Sequence, residues 1–264
     1  MIVGFVGAGR MGGPMVRRLV DAGHRVNVLA RTDEKARVIA GLGAHPVTDP
    51  SAAARAVAVV LGVLTDEQVR SVCVDDGLLA AMPPGSTLIL HTTGSPGTAK
   101  GLAAQRPDVA VVDAPVSGGP HDVAAGSVTL FVGGDDTAVA RVRPMLGAYA
   151  DPILHVGATG AGQLVKLVNN TLFAAQIGLV AEAVRLGAHF GITETSLLGA
   201  LTHGSSQSRA LAMIDAAGSV DAFVASVGEF VGKDIAVVRH TVAGLGVDLG
   251  ILDAAVEAIA PRPA

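Results

Sequence analysis

At 264 residues the chain can bury a full core and fits one large α/β unit followed by a smaller second unit. Half of it is apolar, yet no uninterrupted apolar run approaches the roughly 20 residues of a spanning helix, and Met1 leads into apolar sequence without the basic segment of a secretory signal; the expectation is a cytoplasmic protein without a membrane partner. A formal charge of −4 without basic clusters, one tyrosine and no tryptophan argue against nucleic acid, the single Cys73 excludes an internal disulfide and suggests a packing residue, and eight scattered histidines with no i, i+4 pair predict no metal site.

The first half alternates β-branched apolar runs with stretches of helical period, the signature of βα units on a parallel sheet. Strands are predicted at 2–6, 25–29, 57–61, 87–90 and 109–112, with a helix over 11–22 that opens at a glycine turn and closes at Gly23. After Asp113 the texture becomes turn-rich, then gives a strand at 128–132, a helix after Asp135 and a last strand at 153–156, with the sheet ending near Gly157. From 162 to 190 no proline or turn cluster interrupts a three- and four-residue apolar repeat, which predicts one long helix. Further helices are predicted at 195–201, 230–242 and 247–260, with a frayed tail at Pro261-Arg262-Pro263-Ala264. The fold class is therefore α/β, a Rossmann-type doubly wound parallel sheet over 1–158, followed by an all-α C-terminal domain over 159–264.

Gly7-Ala8-Gly9-Arg10-Met11-Gly12 stands between the first strand and the first helix, the context in which a G-x-G-x-x-G motif has meaning. Gly7 permits the tight turn, Gly9 lets backbone approach a pyrophosphate, and Gly12 allows close helix packing. The second strand ends near Ala30, where an acidic residue commonly receives the ribose 2′-hydroxyl. This chain has Arg31 and Thr32, suited to a 2′-phosphate, so NADP is favoured over NAD. In the alternative, Arg31 is a solvated surface residue and Asp33 takes the ribose.

Four segments together resemble the β-hydroxyacid dehydrogenase family, which includes 3-hydroxyisobutyrate dehydrogenase and tartronate semialdehyde reductase and is related to 6-phosphogluconate dehydrogenase. They are the stretch from Gly4 through Gly12, Asp113-Ala114-Pro115-Val116-Ser117-Gly118-Gly119, Gly160-Ala161-Gly162-Gln163-Leu164-Val165-Lys166-Leu167-Val168-Asn169-Asn170, and Gly232-Lys233-Asp234. The resemblance implies that Ser117, Gly118 and Gly119 hold the carboxylate of a small substrate, a role that consecutive N–H groups in a glycine turn suit chemically. It assigns the general acid/base role to Lys166. The residue lies among apolar neighbours that disfavour an ammonium ion, in a chain that otherwise prefers arginine, with lysine only at Lys35, Lys100, Lys166 and Lys233.

By the same resemblance Asn170, one helical turn beyond Lys166, orients the substrate, with Asn169 the lesser partner. Leu64, Thr65 and Thr93 lie beside the cofactor, and Lys233 lies near its nicotinamide end, where Asp234 either positions it or forms an ordinary surface pair. Glu182 reads as structural. A homodimer or homotetramer that buries the helical domain is also implied. The chain departs from the family pattern in Pro120-His121-Asp122, which adds bulk and charge beside the substrate loop, and in the short sequence after Ala260. The rival readings are an imine reductase-like enzyme, against which Lys166 argues, and a non-catalytic NADP-binding regulatory protein.

Overall fold

The computed structural model describes residues 1–244 and 246–259, with the backbone alone at 228–230. Ala260, where the last helix is predicted to end, and the tail at Pro261-Arg262-Pro263-Ala264 lie outside the described residues. The chain divides into two compact units, Met1–Lys166 and Leu167–Ala264, and the division falls inside one long helix.

The first unit runs β1 (Ile2–Val6), α1 (Gly12–Asp21), β2 (Arg25–Leu29), α2 (Asp33–Gly41), β3 (His45–Val47), α3 (Pro50–Ala54), β4 (Ala58–Leu61) and α4 (Asp66–Arg70), which continues as a π-helical turn over Ser71–Asp75. It proceeds through α5 (Leu78–Ala81), β5 (Thr87–Leu90), α6 (Pro96–Gln105), β6 (Ala110–Asp113), β7 (Val116–Ser117), α7 (Pro120–Ala125), β8 (Val128–Gly133), α8 (Asp136–Leu146) and β9 (Ala150–Gly157). The sheet order is β3-β2-β1-β4-β5-β6-β8-β7, with β9 paired to β8. Strands β1 to β6 are parallel, whereas β8 runs antiparallel to β6 and β7.

The parallel strands carry near-continuous apolar runs because both faces of the sheet are covered. Alternate residues feed two cores. Val3, Phe5, Val28, Val60 and Ile89 pack with Met15, Leu19, Val142 and Met145 on one face, while Val59, Leu61, Leu88 and Leu90 pack with Val69, Leu79 and Leu102 on the other. Cys73 lies in the second core, and burial pushes its thiol up to about 12, so it stays protonated and inert.

Helix α9 (Ala161–His189) begins in the first unit and runs into the second, which continues with α10 (Glu194–Leu201), α11 (Arg209–Ala217), α12 (Val220–Gly244) and α13 (Ile251–Glu257). By length and composition α9 could cross a membrane, but half of its most apolar window is buried within the protein, as in the core helix of a globular fold. Within the second unit Ile177 and Ala181 pack against Leu198, Leu211, Ile214 and Phe223.

Leu19 is fully buried on α1, whereas Val38 on α2 is half exposed. Leu19→Ala should lower the thermal midpoint by several degrees, a loss of about 2–5 kcal/mol, and Val38→Ala should change stability by less than about 0.5 kcal/mol. Calorimetry on both variants checks the difference.

Candidate active site

Register brings the carboxyl ends of the central strands level, with Val6 opposite Leu61, Leu61 opposite Leu90 and Leu90 opposite Asp113. The loops that follow therefore leave one edge of the sheet, where open α/β sheets bind their ligands. They are the glycine loop Gly7 to Gly12, the segment Gly62 to Thr65, the segment His91 to Gly94, and the stretch from Asp113 to Gly119.

In the glycine loop, Gly7 has φ +100°, and a Cβ there would lie 2.2 Å from the Gly62 carbonyl oxygen. At Gly12 a Cβ would lie 2.1 Å from the Gly7 carbonyl oxygen, so only glycine permits this approach of helix to strand. At Gly9, by contrast, a Cβ would meet nothing within 4 Å. The side that the motif turns toward a pyrophosphate is open. Arg10 is exposed, and Ala8 and Met11 are half-buried against the core. Helix α1 has no side-chain cap and no acidic residue in its first turn. Its leading N–H groups and positive dipole end suit a phosphate, and these residues fit a dinucleotide.

At the end of β2, the exposed Arg31 guanidinium lies 3.5 Å from the Asp76 carboxylate, beyond the π-helical turn. Thr32 caps α2 by accepting the Lys35 N–H at 3.2 Å. Thr65 caps α4 in the same way, and the Leu64 N–H donates to Gln68 Oε1 at 2.8 Å. The Thr92 hydroxyl accepts from the Val63 N–H at 3.1 Å and donates to the Val63 carbonyl at 2.9 Å, tying the segment with Leu64 and Thr65 to the one with Thr93.

Beyond β6, Ser117 is half-buried in β7, opposite Thr129 of β8. Gly118 has φ +137°, a conformation that favours glycine. The Gly119 N–H donates to Asp122 Oδ2 at 2.7 Å, and the exposed His121 ring lies 3.3 Å from the other oxygen. The departure at Pro120-His121-Asp122 thus places a carboxylate on the Gly119 N–H.

Lys166 is buried in the second turn of α9, 8% exposed. That turn is fixed from below by the fully buried Asp113, whose carboxylate accepts the Gly160 N–H and, at 2.8 Å, the Gln163 N–H. Burial lifts the Asp113 carboxyl above its ordinary value, and these backbone donors pull it back. In the second unit, Asn170 Nδ2 donates to Asp234 Oδ2, Lys233 Nζ lies 3.1 Å from Asp234 Oδ1, and Asn169 donates to Asn170 Oδ1 at 3.0 Å. Asn170, Lys233 and Asp234 form one polar group there. Glu182 pairs with Arg185 at 2.7 Å on α9.

Two residues absent from the sequence-based site stand at this edge. Gln163 lies inside a segment that carries the family resemblance, but its side chain bonds to residues some 70 positions away. His91 is buried, with Nδ1 2.6 Å from the Ala114 carbonyl and Nε2 2.8 Å from the Tyr149 hydroxyl. The carbonyl requires the proton on Nδ1, so Nε2 accepts from the tyrosine and the ring is neutral. The only sequence signal for His91 is its place directly after a strand.

A strand, a glycine loop and an uncapped helix at the switch edge of a mostly parallel sheet define a dinucleotide-binding domain. Two family models match: the NAD-binding domain of 6-phosphogluconate dehydrogenase over residues 2–157, and the NAD-binding domain of NADP-dependent 3-hydroxyisobutyrate dehydrogenase over 160–261. The chain is 36% identical over 208 residues to the NAD-dependent L-serine dehydrogenase of Pseudomonas aeruginosa, covering 77% of this chain and 70% of that one. It is 37% identical over 206 residues to a probable 3-hydroxyisobutyrate dehydrogenase of Mycobacterium tuberculosis, covering 76% and 68%. The structure of the Mycobacterium tuberculosis 3-hydroxyisobutyrate dehydrogenase with L-serine superimposes with a TM-score of 0.86 at 31% identity, over 97% of this chain and 91% of that one. The chain belongs to the β-hydroxyacid dehydrogenase family and is an NAD(P)-dependent hydroxyacid dehydrogenase.

The unfolded His91 side chain takes a proton near pH 6.5, whereas burial lowers the folded value to about 4. Stability carried by the neutral ring is complete above pH 6.5 and is lost as pH falls from 6.5 toward 4, by about 2–3 kcal/mol. Urea midpoints measured between pH 7 and 4.5 should show this loss in the parent chain, and His91→Gln should lack that component.

Proposed function

We propose that the protein transfers hydride reversibly between NADP(H) and a small β-hydroxy acid or its semialdehyde, with Lys166 as the general acid/base. The nicotinamide supplies or accepts the hydride at C4 when bound. In the reductive direction Lys166 gives its ammonium proton to the carbonyl oxygen, and in oxidation it takes the hydroxyl proton. The observation that carries this reading is the burial of Lys166 in a helix turn anchored by Asp113, on the edge that also holds the glycine loop.

Ser117, Gly118 and Gly119 are the carboxylate-binding loop in this reading, and Asn170 orients the substrate. Because Asp122 occupies the Gly119 N–H, a substrate carboxylate must share that donor or displace the aspartate, which favours acids that also carry a donor group toward Asp122. The family resemblance gives Lys233, which pairs with Asp234, a cofactor-binding role. Arg31 supports NADP over NAD: turning from Asp76 to a 2′-phosphate exchanges one anionic partner for a stronger bidentate one. Exposed Leu172, Leu179 and Leu186 at seven-residue steps on α9 support a homo-oligomer that covers this helix.

NADPH and NADH oxidation against a panel of small semialdehydes, and reduction of both oxidised cofactors by β-hydroxy acids including L-serine, test the reading. Lys166→Ala should lower kcat by about 10²–10⁴-fold while cofactor binding survives, and Arg31→Ala should weaken NADPH about tenfold and leave NADH unchanged. Tight cofactor binding without turnover on any panel member would remove the catalytic reading.

A further inference from the structure

Gln163 joins the loops of the sheet edge through a single side chain. Its Oε1 accepts the Gly94 N–H at 3.0 Å and its Nε2 donates to the Thr92 carbonyl at 2.7 Å, so both residues that flank Thr93 are clamped. Its own N–H donates to Asp113 at 2.8 Å. The residue after Asp113 is Ala114, whose carbonyl receives His91 Nδ1 at 2.6 Å, and His91 precedes Thr92. The bonds therefore close into a ring from His91-Thr92 through Gln163 to Asp113-Ala114 and back. All five residues are at least nine-tenths buried.

A buried ring of polar groups fixes geometry because each bond lost leaves a desolvated donor or acceptor behind. The Gln163 position needs an acceptor and a donor side by side in a neutral group, which a primary amide provides. Three residues further along α9 stands Lys166. A shift or rotation of that helix turn by even an ångström breaks the bonds to Thr92 and Gly94, and displacements of that size are costly in catalysis.

We infer that Gln163 is a positioning residue for hydride transfer: it holds the turn bearing Lys166 in fixed register with Thr93 of the cofactor loop. The inference rests on the acid/base reading of Lys166 given above. Gln163 touches neither substrate nor cofactor in this role and acts through the two elements it joins.

The test compares Gln163→Leu and Gln163→Glu with the parent and with Lys166→Ala. In the cofactor-free protein, Gln163→Leu should speed hydrogen exchange of the Gly94 amide at least tenfold. It should lower kcat 10- to 100-fold while the cofactor Kd stays within threefold. Gln163→Glu sets a second acceptor against the Thr92 carbonyl when ionised and replaces both amide contacts when protonated. Its kcat relative to the parent should recover as pH falls, while the Gln163→Leu ratio stays flat; Asp113 and His91, the titrating groups of the ring, are common to all three proteins.

A kcat within twofold of the parent for Gln163→Leu, a loss confined to cofactor Kd, or a Gln163→Glu ratio that ignores pH overturns the inference. If Lys166→Ala is inactive and Gln163→Leu is unimpaired, the inference falls alone. If Lys166→Ala turns over like the parent, the acid/base reading falls and takes the inference with it.

Discussion

The buried carboxylate of Asp113 is the joint on which the sheet edge depends. It closes β6, and it gathers backbone N–H groups from the start of α9, donors that would otherwise be left unpaired where a long helix begins inside the protein. An anion at a helix N-terminus is favoured by the dipole, and here it is covalently part of the neighbouring strand. The chain after it runs on to Ser117-Gly118-Gly119, and the helix it receives carries Lys166. One side chain thus sets the spacing between the end of β6 and the first turns of α9.

The architecture was legible where physics is local. Strands β1, β2 and β5 stand at the predicted bounds, since continuous apolar runs between turn residues have few other readings. The long helix announced itself through an unbroken repeat, and α9 begins within a residue of its predicted start. Strand β3, with only His45, Pro46 and Val47, offers no pattern, and β7 is two residues in sequence that reads as turn. The antiparallel course of β7 and β8 depends on sheet pairing that periodicity does not encode. Helix α11 went unread, and α12 starts ten residues earlier than its apolar repeat suggests.

The site divides along the same line. The glycine loop and the Lys166 segment are written in consecutive residues, so each can be read as a motif without knowledge of the fold. Gln163 meets Thr92 across 71 positions and His91 meets Tyr149 across 58, and no spacing rule connects such pairs. Neither the pairing of Arg31 with Asp76 nor that of Gly119 with Asp122 could be read from composition. These two carboxylates give each proposed anion-binding group, the Arg31 guanidinium and the Gly119 N–H, an internal partner. An incoming anion competes with each, so affinity is exchanged for selectivity toward ligands that make better geometry than a lone carboxylate.

Helices α2, α3, α4, α6 and α8 of the first unit each begin at a side chain that caps them, namely Thr32, Asp49, Thr65, Ser95 and Asp135. Helix α1, like the short α5 and α7, has none, and its leading N–H groups at the glycine loop suit a cofactor phosphate taken from solution. A ligand bound only by the folded chain stabilises it by about 2.7 kcal/mol at a hundred times its Kd. The lifetime of this protein against proteolysis in a cell is thereby coupled to the nucleotide pool: starvation for the cofactor thins the enzyme population as well as its turnover.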